Sequence, residues 1–178
     1  MTVTITRSYD SYDIARGVVE RLEAAGVDDS DVSIVGRDSR VTEDSNAGEG
    51  AGIGAGLGGA AGLLAGLGII AIPGIGPVVA AGWLATAAAG AVAGAAAGGL
   101  IGSFTSAGVS EEDAHYYAET VRRGGTVVSV QTPEEHSGEI QAIMDGASPI
   151  DRDARLAQYR QEGWKRFDDA AAPYRNVV

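Results

Sequence analysis

The sequence predicts an α+β domain of three strands with helices on one face, ferredoxin-like in outline, whose chain is interrupted by a long glycine-zipper helical hairpin. Two observations lead to this prediction. Strand-like and helix-like apolar patterns alternate near both ends of the 178-residue chain, whereas residues 50–110 contain no Asp, Glu, Lys or Arg. Eighteen of the 27 glycines fall between Gly50 and Gly108, so this stretch differs in composition from the rest.

Residues 1–37 are predicted to form the first part of the α+β domain, as a strand, a helix and a second strand. The alternation TVTIT places Val3 and Ile5 on the inward face of the first strand. Ser11 suits the N-cap of the helix, and Gly26 suits its C-terminal end. The apolar face of this helix would contain Ile14, Val18, Leu22 and Ala25. DVSIVG predicts the second strand.

Residues 38–49 predict an acidic linker, and residues 50–110 predict a hairpin of two helices. The hairpin would fold back at IPGIGP, because two prolines and two glycines within six residues cannot continue a helix. The predicted turn residues are Pro73, Gly74, Gly76 and Pro77.

Small residues spaced by four predict close packing of these helices. The stripe contains Gly50, Gly54, Gly58, Gly62 and Gly66, and then Gly82, Gly90, Gly94, Gly98 and Gly102. Without side chains at the contact, two helix backbones approach closely, and dispersion contacts offset the poor helix propensity of glycine. Two alternatives stay open at this point: the stripe closes the hairpin on itself, or it joins protomers.

Residues 111–148 are predicted to complete the α+β domain. Ser110 suits the N-cap of a helix that begins with three acidic residues. The inward face of this helix would contain Ala114, Tyr117, Ala118 and Val121. A third strand follows from Thr126, and Pro133 suits the first position of another helix. The core face of that helix would contain Ile140, Ile143 and Met144.

Residues 149–178 are predicted to form a C-terminal helical arm that docks onto a neighbour. Its aromatic anchors would be Tyr159, Trp164, Phe167 and Tyr174. Five basic residues also cluster in the arm, namely Arg152, Arg155, Arg160, Lys165 and Arg166. Because five acidic residues are interleaved with them, the pattern favours a partner-docking face over a phosphate site.

Composition and motifs exclude several functions. The net charge of −11 disfavours nucleic-acid binding, and the absence of cysteine excludes disulfides and thiolate metal sites. His115 and His136 have no second ligand at a metal-binding spacing, so both are interpreted as surface residues. Tyr117 is assigned to the core and Tyr116 to solvent. We therefore predict no catalytic residue, no cofactor and no metal site.

Three segments of the sequence carry a resemblance to a known family. In chain order they are SYDSYDIARGVVERLEAAGVDDSDVSIV, GLGGAAGLLAGLGIIAIPGIGPVVAAGWLA and GVSEEDAHYYAETVRRGGTVVSVQT. Together with the tail GWKRFDDAAAPYR, they resemble the bacterial general stress protein family with a YflT-like, heat-induced stress protein domain. The resemblance implies a link to heat, cold, oxidative or drying stress and no established reaction. It also implies frequent description as membrane proteins, and it transfers no catalytic residue to this chain.

We therefore expect a cytoplasmic, non-enzymatic stress-associated protein whose partner is itself, in a homo-oligomer formed through the hairpin. The cytoplasmic expectation rests on an N-terminus without the basic start and apolar run of a secretory signal. The alternative is a peripheral or monotopic membrane-associated protein whose hairpin inserts into lipid. Length and lack of charge favour this alternative, whereas the acidic flanks and the abundance of glycine and alanine oppose it.

Overall fold

Five strands form one antiparallel sheet. The computed structural model describes residues 1–37, 68–72, 74–85, 99–168 and 170–171. The strands are β1 (Thr2–Tyr9), β2 (Val32–Gly36), β3 (Gly68–Ile72), β4 (Gly76–Gly82) and β5 (Thr126–Pro133). Their order across the sheet is β1-β5-β2-β4-β3, and each neighbouring pair is antiparallel. Since β1 and β2 both run antiparallel to β5, they are parallel to each other and β5 lies between them.

Helices cover both faces of this sheet. They are α1 (Tyr12–Ala24), α2 (Gly99–Ser106), α3 (Glu111–Arg122), α4 (Ser137–Asp145) and α5 (Arg152–Gln161), with a 3-10 turn at Glu134–His136 before α4. The first core lies between the sheet and α1 and α4, and the second core lies between the sheet and α2, α3 and α5. β2 is buried on both sides, because Val32 and Ile34 belong to the first core and Val35 to the second.

The mixed α+β class is confirmed, but the prediction of three strands with helices on one face is wrong. β3 and β4 come from the segment that was predicted to be helical, and β4 extends the sheet by pairing with β2. Their β-branched residues explain why strands form there, since such side chains pack well on a pleated surface. The five-stranded order also differs from the ferredoxin-like outline.

The predicted reversal of the hairpin does lie between β3 and β4. Gly74 and Gly76 have φ values of 75° and 93°, which residues with a side chain rarely adopt. Pro77 is the second residue of β4. Gly82 also lies in β4, so its prediction as part of a helical stripe is wrong.

Several predicted residues lie outside the described residues. They are Gly50, Gly54, Gly58, Gly62, Gly66, Pro73, Gly90, Gly94, Gly98 and Tyr174, together with the predicted linker at residues 38–49. Gly102 is described, and it lies within α2. A Cβ atom at Gly102 would have no neighbour within 4 Å in the described chain. Gly102 is therefore not at a close helix contact there.

The ends predicted at Ser11, Gly26 and Ser110 agree with the structure. The helix start predicted at Pro133 is wrong, because Pro133 is the last residue of β5 and α4 begins at Ser137. The Ser11 Oγ accepts a hydrogen bond from the Ile14 N–H at 3.3 Å, and the Ser110 Oγ accepts one from the Asp113 N–H at 3.1 Å. Gly26 has a φ of 87° just after α1. The placement of Ile14 in the core is wrong, because its side chain is 44% exposed. The buried face of α1 consists of Tyr12, Ala15, Val18, Val19 and Leu22.

Buried hydroxyl groups lie in the second core, where α3 covers the sheet. Thr6 of β1, Ser129 of β5 and Ser33 of β2 are in register across three strands. The Oγ1 of Thr6 lies 2.8 Å from the Oγ of Ser129, and the Tyr117 hydroxyl donates to the Thr6 carbonyl at 3.2 Å. The Oγ of Ser33 donates to the Ala81 carbonyl at 2.9 Å. These pairings satisfy the hydroxyls within the fold, so the row is structural.

Candidate functional site

The C-terminal arm packs on its own chain. Tyr159 and Phe167 are 2% and 8% exposed, and both belong to the second core. Trp164 packs against that core, with its ring centroid 6.0 Å from that of Tyr159. For these three anchors, the prediction that the arm docks onto a neighbour is therefore wrong.

Ion pairs within the chain use three of the five clustered basic residues of the arm. The Nε of Arg152 lies 2.7 Å from the Oδ1 of Asp113. Arg155 pairs with Asp10 at 3.0 Å, and Arg160 pairs with Glu112 at 2.5 Å. These contacts join the arm to α3 and to the end of β1. The three arginines are therefore paired with carboxylates of the same chain and do not form a partner-docking face.

A buried carboxylate of α3 holds an arginine that reaches the arm. Glu119 is fully buried, and its two oxygens accept from the Nη1 of Arg122 at 3.1 Å and from the Nε of Arg123 at 2.7 Å. The Arg123 guanidinium also pairs with Glu162 and lies 4.2 Å from the centroid of the Tyr159 ring. Sequence reasoning missed this cluster, although a Glu three and four residues before two arginines is a recognisable helical ion-pair spacing.

A cleft of about 460 Å³ lies between the N-terminal half of α3 and the arm, and we refer to it as the α3–arm cleft. Its lining residues are Glu111, Glu112, His115, Arg160, Trp164, Lys165 and Arg166. Among the described residues, Lys165 has no ion-pair partner. It is also the only lysine in the sequence.

His115 lines this cleft and is only 8% exposed, so its prediction as a surface histidine is wrong. Tyr116, which was also assigned to solvent, is fully buried. The surface prediction holds for His136, whose side chain is 59% exposed. The arm covers the face of α3 that would otherwise be open to water, and this coverage could not be read from the local sequence.

The protonation state of His115 follows from its neighbours. Burial lowers the pKa of His115, and the positive charge of Arg166 lowers it further, whereas Glu111 at 3.6 Å raises it by a smaller amount. The ring is therefore neutral at pH 7. The Nη2 of Arg166 lies 3.2 Å from the Nε2 of His115, and a guanidinium can only donate. The Nε2 is thus the acceptor, and the ring proton is on Nδ1.

Two buried donors at the cleft have no hydrogen-bond partner in the described part of the chain. They are the Nδ1–H of His115 and the Nε1–H of Trp164. Buried donors are normally satisfied, and an unsatisfied one costs about 1–3 kcal/mol. Both nitrogens have almost no accessible surface, so they lie beneath the lining of the α3–arm cleft.

A second cleft of about 460 Å³ lies beside β1 and the start of α5 and is lined by Ser8, Tyr117 and several charged residues. Its arginines are already engaged, since Arg7 pairs with Asp145 at 2.7 Å and Arg152 pairs with Asp113. This cleft is therefore the weaker candidate site.

Within the described ranges, no group of three or more His, Asp and Glu side chains could hold a metal ion. None of the helices in those ranges combines the length and the apolar character that crossing a bilayer requires.

Comparison with known proteins finds no matching family model, no matching curated protein and no matching solved structure.

Proposed function

We propose that this chain is a non-enzymatic, stress-associated protein that self-assembles into a homo-oligomer through its uncharged segment, residues 50–110. The stress association rests on the resemblance of its sequence segments to a general stress protein family. The assembly rests on physical features of the chain, and one observation carries it: an uncharged, apolar strand stands at the edge of the sheet.

β3 is that edge strand. Among the described residues it pairs only with β4, so its outer backbone N–H and C=O groups have no strand partner there. Its sequence, GIIAI, contains neither a charged residue nor a proline. Native sheets usually protect their edges with such residues, because an unprotected edge pairs with other chains. Ile69 is half-buried and belongs to neither core of the described residues.

Pairing of β3 with β3 of a second copy would join two five-stranded sheets about a two-fold axis. Such a contact uses the same surface on both protomers and therefore closes on itself. The glycine stripe offers a second contact, through small residues on either side of β3 and β4. Gly102 has no neighbour within 4 Å of an added Cβ among the described residues, which is compatible with such a contact.

The test compares two isoleucine-to-lysine variants. A lysine at an edge strand repels a second copy and satisfies no new contact, so Ile69→Lys is expected to lower the molar mass measured by multi-angle light scattering. Ile14→Lys is the matched control, because Ile14 is 44% exposed on α1, on the face of the molecule that carries the first core. If both variants keep the mass of the parent protein, β3 is not at the assembly contact.

The second candidate is a membrane-associated protein whose uncharged segment enters lipid. The specific observation that favours it is the run of 61 residues from Gly50 to Ser110 without a charged side chain. Flotation with liposomes in the absence of detergent separates the two candidates. An assembly that buries its own apolar segment stays in the dense fraction, whereas lipid insertion carries the protein to the top of the gradient.

A further inference from the structure

We propose that His115 is an acid-sensitive latch, which holds residues 164–168 on α3 at neutral pH and releases them when its ring takes up a proton. Residues 164–168 are referred to below as the arm end. The latch is independent of the self-assembly proposed above, because it lies within one chain and uses no residue of the uncharged segment.

The arm end has few attachments. It follows α5, and no further helix or strand holds it in the described part of the chain. The Trp164 N–H donates to the Tyr159 carbonyl at 3.0 Å, which only closes the end of α5. Apart from that bond, one hydrogen bond joins the arm end to another described element, between the Nη2 of Arg166 and the Nε2 of His115 at 3.2 Å. Phe167 and Trp164 add apolar contacts with the second core. A change at His115 therefore acts on the main polar attachment of the arm end.

Protonation of His115 removes the acceptor of this bond. A guanidinium can only donate, and the neutral ring accepts through its Nε2. Once both ring nitrogens carry a proton, two donors and two positive charges face each other across the 3.2 Å contact, so that attraction becomes repulsion. His115 is only 8% exposed, so its charge is screened less than that of a surface histidine.

Glu111 offers the protonated ring a replacement partner. Its Oε1 lies 3.6 Å from the same Nε2, and its side chain is 74% exposed and has room to move closer. α2, which also packs on α3, contributes no ionisable side chain. The other charged groups of the cleft and of the next turn of α3 are Glu112 paired with Arg160 at 2.5 Å, Glu119 paired with Arg122 and Arg123, and Lys165 on the arm end. The Nε2 can therefore exchange Arg166 for Glu111 without any movement of α3.

Proton linkage sets the pH range of the latch. With the arm end in place, burial and the charge of Arg166 hold the pKa of His115 below its ordinary value of 6.5. In the released state the ring gains water and loses the guanidinium, so its pKa returns towards 6.5. Protonation therefore favours release as the pH falls through 6.5. A pKa difference of one between the two states changes their ratio by up to about tenfold.

The fluorescence of Trp164 reports on release. Its ring packs edge-on against the ring of Tyr159, with the centroids 6.0 Å apart, so it enters water when the arm end leaves. Trp83→Phe makes Trp164 the single tryptophan of the full chain. Between pH 7.5 and 5.5 we expect its emission maximum to move to longer wavelength. The acrylamide quenching constant should rise about twofold, because local opening exposes a half-buried ring. Far-ultraviolet circular dichroism should stay constant, since the sheet and α5 remain folded.

Three further substitutions in the single-tryptophan chain assign the effect. His115→Gln keeps an acceptor for Arg166 and takes up no proton, so its emission should not change with pH. Arg166→Gln removes the repulsion, so it should weaken the response and raise the pKa of His115 towards 6.5, as measured by nuclear magnetic resonance. Lys165→Gln is the matched control, because it removes the same charge from the next residue, whereas the charges that shift the pKa of His115 are those of Arg166 and Glu111. Its response should equal that of the single-tryptophan chain.

Four results would overturn the proposal. They are an emission maximum that stays constant down to pH 5.5, an equal shift in His115→Gln, equal reductions in Lys165→Gln and Arg166→Gln, and a loss of circular dichroism in the same pH range. The last result would mean that the whole domain opens and not the arm end alone.

Discussion

Gly36 and Thr126 lie side by side where β2 ends and β5 begins, so closely that a Cβ atom on Gly36 would stand 2.2 Å from the Thr126 Oγ1. Thr126 is fully buried, and the same Cβ would lie within 2.7 Å of three of its side-chain atoms. The absence of a side chain at residue 36 therefore lets the two central strands meet.

Replacement of Gly36 by alanine is expected to lower the free energy of unfolding by about 1–3 kcal/mol, because neither strand can move away from its other neighbour. Urea denaturation followed by circular dichroism measures this change. Gly17→Ala is the control, since Gly17 lies inside α1 with no atom within 4 Å of the added Cβ. That control should stabilise the protein by about 0.5–1 kcal/mol, because alanine is the better helix former.

Glu119→Gln is expected to destabilise the fold by about 3 kcal/mol. The change leaves the guanidinium groups of Arg122 and Arg123 close to a neutral amide in a site where Glu119 has no solvent exposure. Urea denaturation again provides the measurement. Glu20→Gln, which breaks the exposed pair with Arg16, should change stability by less than about 0.5 kcal/mol. Equal effects of the two substitutions would mean that the buried cluster does not hold the arm.

Stability should fall in mild acid because of His115. Its pKa in the folded protein is below the ordinary value of 6.5, owing to burial and to the charge of Arg166. As the pH falls through 6.5, the unfolded chain therefore takes up a proton that the folded chain does not, and unfolding becomes easier. Above that pH the effect is absent.

Thermal denaturation between pH 7.5 and 5 tests this expectation. His115→Gln should flatten the decline relative to the parent protein. His136→Gln, at an exposed position, should leave it unchanged. If the parent and His115→Gln lose stability in parallel, His115 is not the group responsible.

Substitution within the glycine stripe tests the predicted helix contacts. Gly58→Leu and Gly94→Leu add a large side chain at positions where close backbone approach was predicted, and each should reduce self-assembly. The far-ultraviolet circular dichroism and melting of the α+β domain should persist. Sedimentation velocity measures the change in assembly, and unchanged sedimentation of both variants would place the stripe away from any contact.

Local signals account for the parts of the fold that could be predicted. The caps at Ser11 and Ser110 and the left-handed glycine at position 26 depend on residues within one helical turn, and all three are confirmed. β1, β2 and β5 could be recognised because each alternates or clusters β-branched residues. The position of β5 between β1 and β2 could not be predicted in this way. It depends on pairing between strands more than 90 residues apart in the sequence, for which no local pattern exists.

The missed strands have a specific cause. Short apolar runs fit a buried strand and a buried helix equally well by periodicity alone. In residues 68–82 the high glycine and alanine content directed the prediction towards helix, although Ile69, Ile70, Val78 and Val79 are β-branched. That enrichment was the available signal for β3 and β4.

The candidate site could not be predicted, because its parts are distant in the sequence. His115 and Arg166 are 51 residues apart, and only the packing of the arm on α3 brings them to 3.2 Å. Tyr159, Trp164 and Phe167 were recognised correctly as anchors of the arm. Their partner was not, since no local pattern distinguishes docking on the same chain from docking on a second one.

The molar mass of the parent protein in detergent-free buffer, measured by light scattering coupled to gel filtration, tests self-assembly most directly. We expect a species whose mass is a multiple of 18.0 kDa and persists on dilution to low micromolar concentration. A single species at 18.0 kDa across that range would contradict it.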